Sequence, residues 1–162
     1  MLTHIPKGAT VFIDANIFLY HALEGRAACA HLFQHARTKD IRALTSAMVL
    51  SEVLHRLLLA EIAQRFTLAS SKTALNLLRR HPEHLTSCTA AHHFLNHVPR
   101  LGVRIIPLRW RELRMAPELS HRYHLLTNDA LIIATMHAHH VNHLASNDSD
   151  FRRVADITLW KP

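Results

Sequence analysis

The chain has 162 residues, a length that fits one domain with a sizeable core, and its hydrophobic fraction of 49% is that of an ordinary folded protein. Lys and Arg total 19 against 12 Asp and Glu, and the resulting net charge of +7 is compatible with a polyanionic partner. The three glycines are too widely spaced for a dinucleotide fingerprint or a phosphate-binding P-loop. No stretch resembles a signal peptide or a membrane helix, so we expect a cytoplasmic protein that makes no membrane contact.

The predicted elements alternate between strand and helix. A short β-branched run predicts a buried parallel strand over Thr10–Ile13. Further strands are predicted at Arg42–Leu44, Val103–Leu108, His143–Ser146 and Ile157–Trp160. Helices are predicted at Ile17–Leu23, Ala27–Thr38, Ala47–Gln64 (capped by Ser46), Ala69–Arg80, Thr89–His97, Trp110–Glu118 and Asp129–His140. We therefore expect an α/β fold, a single three-layer α/β/α domain over residues 1–162 with a mainly parallel central sheet of about four to five strands.

Three aspartates fall where such a sheet binds ligands. Asp14 ends the first strand, Asp148 follows the strand that begins at His143, and Asp129 begins the preceding helix. Ligands in open α/β sheets bind at the carboxyl ends of the strands, so these acids should share one edge. Each also has an ordinary structural interpretation, Asp14 and Asp129 as helix N-caps and Asp148 and Asp150 as turn residues.

A fourth acid, Glu52, lies on the long helix predicted to begin after Ser46. It points away from the main apolar stripe of that helix, beside Met48 and Leu59. One interpretation is a solvent-facing ion pair with Arg56 one turn later, and the other is a carboxylate that reaches the acidic cluster. The pattern by itself slightly favours the ion pair.

A cluster of three or four carboxylates predicts a metal site. Two like charges 4 Å apart repel by on the order of 4 kcal/mol at an effective dielectric of 20, so such acids take up protons or bind a cation. Oxygen ligands suit Mg²⁺ or Mn²⁺, and such an ion can activate water for attack on phosphorus. An acidic metal site on a basic protein therefore predicts hydrolysis of phosphodiester bonds.

Four segments, in order over about 140 residues, resemble the PIN-domain ribonucleases, and in particular the VapC-type toxins of bacterial toxin–antitoxin pairs. The first is Val-Phe-Ile-Asp14-Ala-Asn16 and the second is Thr45-Ser-Ala-Met-Val-Leu-Ser-Glu52. The third and fourth are Leu-Thr-Asn-Asp129-Ala-Leu-Ile-Ile-Ala and Leu-Ala-Ser146-Asn-Asp148-Ser-Asp150-Phe. No such motif occurs between about residues 64 and 108, and substrate choice would lie in such variable parts.

The resemblance implies an endoribonuclease that depends on Mg²⁺, or alternatively Mn²⁺. Metal binding and catalysis would fall to four acids, Asp14, Glu52, Asp129 and Asp148. Asn16 and Ser146 would orient these ligands through hydrogen bonds. Asp150 would be either an extra ligand or a turn residue packed by Phe151, and we favour the turn residue. The resemblance also implies a homodimer, an RNA substrate and a cognate antitoxin that blocks the site.

Alternative functions remain on the sequence alone. The chain would otherwise be a housekeeping RNA-processing nuclease or a non-catalytic binding module with the same fold. A haloacid-dehalogenase-type hydrolase would need an acid where Asn16 stands. Sixteen histidines suggest zinc, but adjacent pairs such as His92–His93 lack ligand spacing, so we predict no zinc site.

Arginine-rich segments are candidates for RNA contact, because the guanidinium group binds phosphate bidentately and stacks on bases. The alternative is a solvated basic face. The candidates are Arg109, Arg111, Arg114, Arg122 and Arg152.

Overall fold

The computed structural model describes residues 1–162 as five strands and seven α-helices joined by short turns. The strands are β1 (Thr10–Ile13), β2 (Arg42–Ser46), β3 (Val103–Ile106), β4 (His143–Ala145) and β5 (Thr158–Trp160). The helices are α1 (Ala15–Glu24), α2 (Ala27–Arg37), α3 (Ala47–Arg65), α4 (Ser71–Arg80), α5 (Ala90–His97), α6 (Trp110–Tyr123) and α7 (Thr127–Ala138). The predicted α/β fold is confirmed, and no predicted element is missing.

All five strands run parallel, in the order β3-β2-β1-β4-β5. From β1 the chain moves outward to β2 and β3, and then returns past β1 to β4 and β5. Right-handed crossovers put the helices of the two excursions on opposite faces of the sheet. In agreement, α1 packs on α2 and α3, while α6 packs on α7. The result is a three-layer α/β/α domain. Successive strands are added on one side of β1 and then on the other, and open sheets bind ligands where the strand order reverses in this way.

The residues of the central strands explain this layering. Val11, Phe12 and Ile13 are fully buried, as expected for a parallel strand covered on both faces. The main core continues through α1, α3 and α7, and a smaller cluster between α3 and α4 contains Leu59, Ile62, Ala74 and Leu78. None of the helices combines the length and apolarity that crossing a membrane requires.

The observed helix ends differ from their predicted bounds by at most two residues, except at the end of α6, and the differences in α6 and α7 bear on the site. Helix α6 continues through Pro117 to Tyr123 rather than ending at Glu118, and it stops where His124 adopts a left-handed conformation with φ of 52°. A proline removes one backbone donor, and the remaining helical bonds carry α6 past it. Helix α7 begins at Thr127, two residues before the predicted start, so Asp129 lies within its first turn.

Candidate active site

The centre of the candidate site is Asp14, which follows β1 directly and is only 7% exposed. Because Ile13 is in register with Ala145, the next residues of the two strands, Asp14 and Ser146, become neighbours. The Asp14 Oδ1 atom accepts the backbone N–H of Ala15 at 2.6 Å, which makes Asp14 the N-cap of α1. The predicted cap role is therefore real, and it fixes the carboxylate at the sheet edge.

The hydroxyl group of Ser146 joins three residues of this edge. It donates to Asp14 Oδ2 at 2.7 Å, and it accepts from Asn16 Nδ2 at 3.0 Å and from the backbone N–H of Asp148 at 3.0 Å. A serine hydroxyl has one proton and two lone pairs, so all of its bonding capacity is used. Ser146 is fully buried, and Asn16 Nδ2 also donates to Asp14 Oδ2. Both residues thus hold Asp14 by hydrogen bonds.

Asn147 lies between two predicted site residues but was not singled out by the sequence. Its backbone N–H donates to Asn16 Oδ1 at 3.0 Å, and its side-chain Nδ2 donates to the hydroxyl group of Tyr20 at 2.9 Å. It therefore fixes the Asn16 amide and ties the loop after β4 to α1. The only sequence signal for this role is its position between Ser146 and Asp148.

The loop after β4 places Asp148 and Asp150 in a tight turn. Asp148 Oδ1 accepts the backbone N–H of Asp150 at 2.8 Å, which is the Asx-turn bond expected for a turn aspartate. The Asp150 side chain pairs with Arg153 at 2.9 Å, and the next residue, Phe151, is fully buried. The turn leaves the second oxygen of Asp148 without a protein hydrogen bond, whereas the Asp150 charge is already paired.

Asp129 is half-buried in the first turn of α7, and its carboxylate makes no hydrogen bond within the protein. The N-cap position of α7 is Leu126, and no side chain caps this helix, so the alternative of Asp129 as a cap residue is wrong. Both of its carboxylate oxygens remain available to a ligand.

Glu52 is half-buried on α3, which begins directly after β2 beside β1. It takes part in no ion pair, so the alternative of a surface pair with Arg56 is wrong. The charge of Glu52 contributes to raising the pKa values of both Asp14 and Asp129. Glu52 therefore belongs electrostatically to the acidic cluster.

Burial and mutual repulsion shift the protonation of two acids. Burial raises the pKa of Asp14 to about 6, against hydrogen bonds from Ser146 and Ala15, and the negative charges of Glu52 and Asp148 add to the increase. The pKa of Asp129 also rises to about 6, first through burial and then through the charges of Asp148, Asp14, Asp150 and Glu52. A cation among these groups would reverse the repulsion and favour the ionised forms.

The donor set fits a hard divalent cation. The four acids offer only oxygen ligands, the chemistry that Mg²⁺ and Mn²⁺ prefer. No three of them place carboxylate oxygens within 4.8 Å of one another, whereas two oxygens on one Mg²⁺ lie at most about 4.2 Å apart. In this structure the acids are therefore spaced more widely than three direct ligands of one ion, which leaves room for the water molecules that Mg²⁺ retains readily.

The candidate RNA-binding arginines form no ion pair with the acids of the site. Arg111 and Arg114 are exposed on α6 and line a surface groove with Trp110, whose side chain is 73% exposed. Arg122 pairs with Glu118 at 2.9 Å, which occupies part of its bonding capacity. Arg109 and Arg152 are exposed.

Sequence comparison identifies the class to which this fold and site belong. The family model for the PIN domain matches residues 11–157 and so includes all four acids. The chain belongs to the PIN domain family, and the predicted resemblance is confirmed.

Individual relatives extend this assignment. The chain is 31% identical to Ribonuclease VapC2 of Methanocaldococcus jannaschii over 146 residues, which cover 89% of this chain and 88% of that protein. It is 46% identical to Ribonuclease VapC6 of the same organism over 59 residues, which are 36% of this chain and only 39% of that protein. Among solved structures, a toxin–antitoxin complex from Klebsiella pneumoniae has the same fold, with a TM-score of 0.53, 19% identity and coverage of 91% of this chain and 95% of that chain.

Proposed function

We propose that this protein is an endoribonuclease that depends on Mg²⁺ or Mn²⁺ and hydrolyses RNA phosphodiester bonds. The observation that carries the proposal is the buried Asp14, held by Ser146 and Asn16 at the sheet edge and surrounded by the charges of Glu52, Asp129 and Asp148. The names of the relatives in Methanocaldococcus jannaschii support ribonuclease activity.

The residues of the chain divide the work. Asp14 and Asp148 are held by backbone and hydroxyl donors, so they would fix the position of the ion. Glu52 and Asp129 have no hydrogen-bond partners and would bind the ion directly or orient its water molecules. A divalent ion held there would lower the pKa of a water molecule and neutralise charge developing on the phosphate.

The exposed basic surface of α6 would bind the RNA backbone. Trp110 stands beside Arg111 and Arg114 in one groove, which combines a stacking surface with two phosphate-binding groups. Arg109, Arg122 and Arg152 would contribute further positive charge. Replacing Arg111 and Arg114 together by alanine should raise KM and flatten the salt dependence of binding, while kcat changes little.

We further propose that the protein is the toxin of a toxin–antitoxin pair, that it forms a homodimer and that a cognate antitoxin blocks its site. The structural similarity to a chain of a toxin–antitoxin complex supports this role. A housekeeping RNA-processing function is the alternative. Expression of the wild type should arrest growth, and co-expression of an adjacent small gene should relieve the arrest. Sedimentation of the purified protein tests the dimer.

The nuclease proposal is tested by cleavage of fluorescently labelled RNA by the wild type and by Asp14→Asn. We expect cleavage by the wild type with Mg²⁺ or Mn²⁺, none with EDTA, and none by the variant. Equal activity of both proteins, or no activity of the wild type with either ion over a panel of structured and single-stranded RNAs, would favour the non-catalytic binding module.

A further inference from the structure

Three potential metal ligands converge at a turn outside the acidic site. Residue His81 ends α4, and a short 3-10 helix over Pro82–Ser87 then carries Glu83 and His84. Ligand atoms of His81, Glu83 and His84 all lie within 4.8 Å of one another, and no other group of three His, Cys, Asp or Glu residues in the chain does so. We infer that this trio, here called the His81 cluster, is a binding site for a divalent transition metal of the zinc type.

The ligand set matches this chemistry. Two imidazole nitrogens and one carboxylate are a set that Zn²⁺ uses with water in the fourth position. Tetrahedral bonds of about 2.1 Å put neighbouring ligand atoms about 3.4 Å apart. His81 Nδ1 and Glu83 Oε1 form an ion pair at 3.0 Å, and the His84 nitrogen lies within 4.8 Å of both, so a bound ion would replace this pair and draw the three atoms together. The nitrogen ligands favour Zn²⁺, Co²⁺ or Ni²⁺ over the Mg²⁺ expected at the acidic site.

The turn holds the ligands near this arrangement. The backbone N–H of His84 donates to the carbonyl oxygen of His81 at 3.3 Å. The carbonyl oxygen of His84 accepts from the Ser87 hydroxyl at 3.0 Å, and the Glu83 carbonyl accepts from the Thr86 hydroxyl at 2.8 Å. The His84 ring also packs against Phe66, with the ring centroids 4.6 Å apart.

This inference departs from the sequence-based prediction of no zinc site. That prediction considered adjacent histidine pairs such as His92–His93, which point to different sides of a helix. Pro82 interrupts the helix after α4, and the following turn folds Glu83 and His84 back toward His81. A bound ion would cross-link the turn that connects α4 to α5. The site is independent of the nuclease proposal, because it shares no residue with the acidic cluster.

The test is titration of the full-length protein with Zn²⁺, and separately with Co²⁺, in the presence of saturating Mg²⁺. We expect the wild type to bind one more equivalent of Zn²⁺ than His81→Ala/His84→Ala, and to show the absorption of tetrahedral Co²⁺ that this variant lacks. Glu83→Gln should weaken binding at least about tenfold, and Zn²⁺ should raise the Tm of the wild type but not that of the double variant.

Two matched controls identify the site. His92→Ala/His93→Ala removes two exposed imidazoles of α5, and His31→Ala/His35→Ala removes the other close pair, whose Nε2 atoms are 3.1 Å apart on α2. Both control variants should retain the equivalent lost in His81→Ala/His84→Ala.

Equal Zn²⁺ stoichiometry and affinity in the wild type and His81→Ala/His84→Ala, or loss of the equivalent only in His31→Ala/His35→Ala, would overturn the inference. If the double variant does not fold, the imidazole NMR signals of the wild type decide the question. Substoichiometric Co²⁺ should then shift the signals of His81 and His84 before those of other histidines, and a shift elsewhere first would contradict the site.

Discussion

The two halves of the acidic cluster are built differently. The strand-end half contains Asp14 and Asp148. The Asp14 carboxylate accepts from Ala15 and Ser146, while Asp148 donates its backbone N–H to Ser146 and its carboxylate accepts from Asp150. The helix-borne half contains Glu52 and Asp129 on α3 and α7, and the carboxylates of both make no hydrogen bond with the protein. The difference indicates that the first half fixes a position, while the second half can adjust to whatever occupies it.

The largest effect is expected from Asp14→Asn, with a loss of at least about 100-fold in kcat/KM, the size observed when one charge-stabilising group is removed. Donors face both carboxylate oxygens, Ala15 N–H at Oδ1 and Ser146 and Asn16 at Oδ2, so either orientation of an amide sets its NH₂ against a donor. Higher Mg²⁺ concentration should therefore not restore activity. Asp156→Asn, at an exposed residue paired with His137, is the control and should retain full activity.

The pKa of Asp14 predicts how the stability of the metal-free protein depends on pH. The folded carboxyl keeps its proton up to about pH 6, while its ordinary pKa is 3.8, so the folded state binds more protons between these values. The free energy of unfolding should therefore fall as pH rises from 4 to 7, by up to about 3 kcal/mol from this group, since each pKa unit corresponds to 1.36 kcal/mol.

Urea unfolding in EDTA gives the free energy of unfolding of the wild type and of Asp14→Asn at each pH. The contribution of Asp14 is the difference between the two proteins in how this free energy changes with pH. Mg²⁺ should reduce the decline in the wild type, because it stabilises the ionised carboxylates. A wild-type slope equal to that of the variant would contradict the assigned pKa.

Ser146→Ala tests the strand-end half without removing an acid. The expected loss is about 10- to 100-fold in metal affinity, typical of residues that orient a ligand. The lost hydrogen bond should also move the acid limb of the pH–rate profile to higher pH, since Ser146 lowers the pKa of Asp14. A drop in stability with an unchanged pH–rate profile would mean that Ser146 contributes to packing and does not set the pKa of Asp14.

Of the substitutions predicted here, Glu52→Gln should have the smallest effect. The rate should fall about tenfold at low Mg²⁺ and recover as the Mg²⁺ concentration is raised. The reason is that Glu52 has no hydrogen-bond partner to leave unsatisfied, so its main loss is one charge that attracts the cation. Activity measured across a Mg²⁺ series distinguishes it from Asp14→Asn. A loss in Glu52→Gln that persists at saturating Mg²⁺ would remove the distinction between the two halves.

The sequence predicted the strand-end half better than the helix-borne half. A buried strand must end at the sheet edge, so Asp14 and Asp148 followed from strand pattern and parallel topology alone. The location of Glu52 depends on the angle between α3 and β2, which the hydrophobic periodicity of the sequence does not determine. Only the family resemblance indicated that Glu52 belongs to the site. The bonds of Asn147 and the turn of the His81 cluster arise from loop geometry, for which the chain has no repeating pattern.

The bonds of Ser146 also determine when the site can first exist. Asp14 and Asn16 are synthesised early, but the hydroxyl that holds them follows 132 residues after Asp14. A growing chain on the ribosome therefore carries the first acid long before it has the group that positions it. The candidate site becomes complete only when β4 has paired with β1, so a partly translated chain lacks the assembled site while it remains next to the RNA of the ribosome.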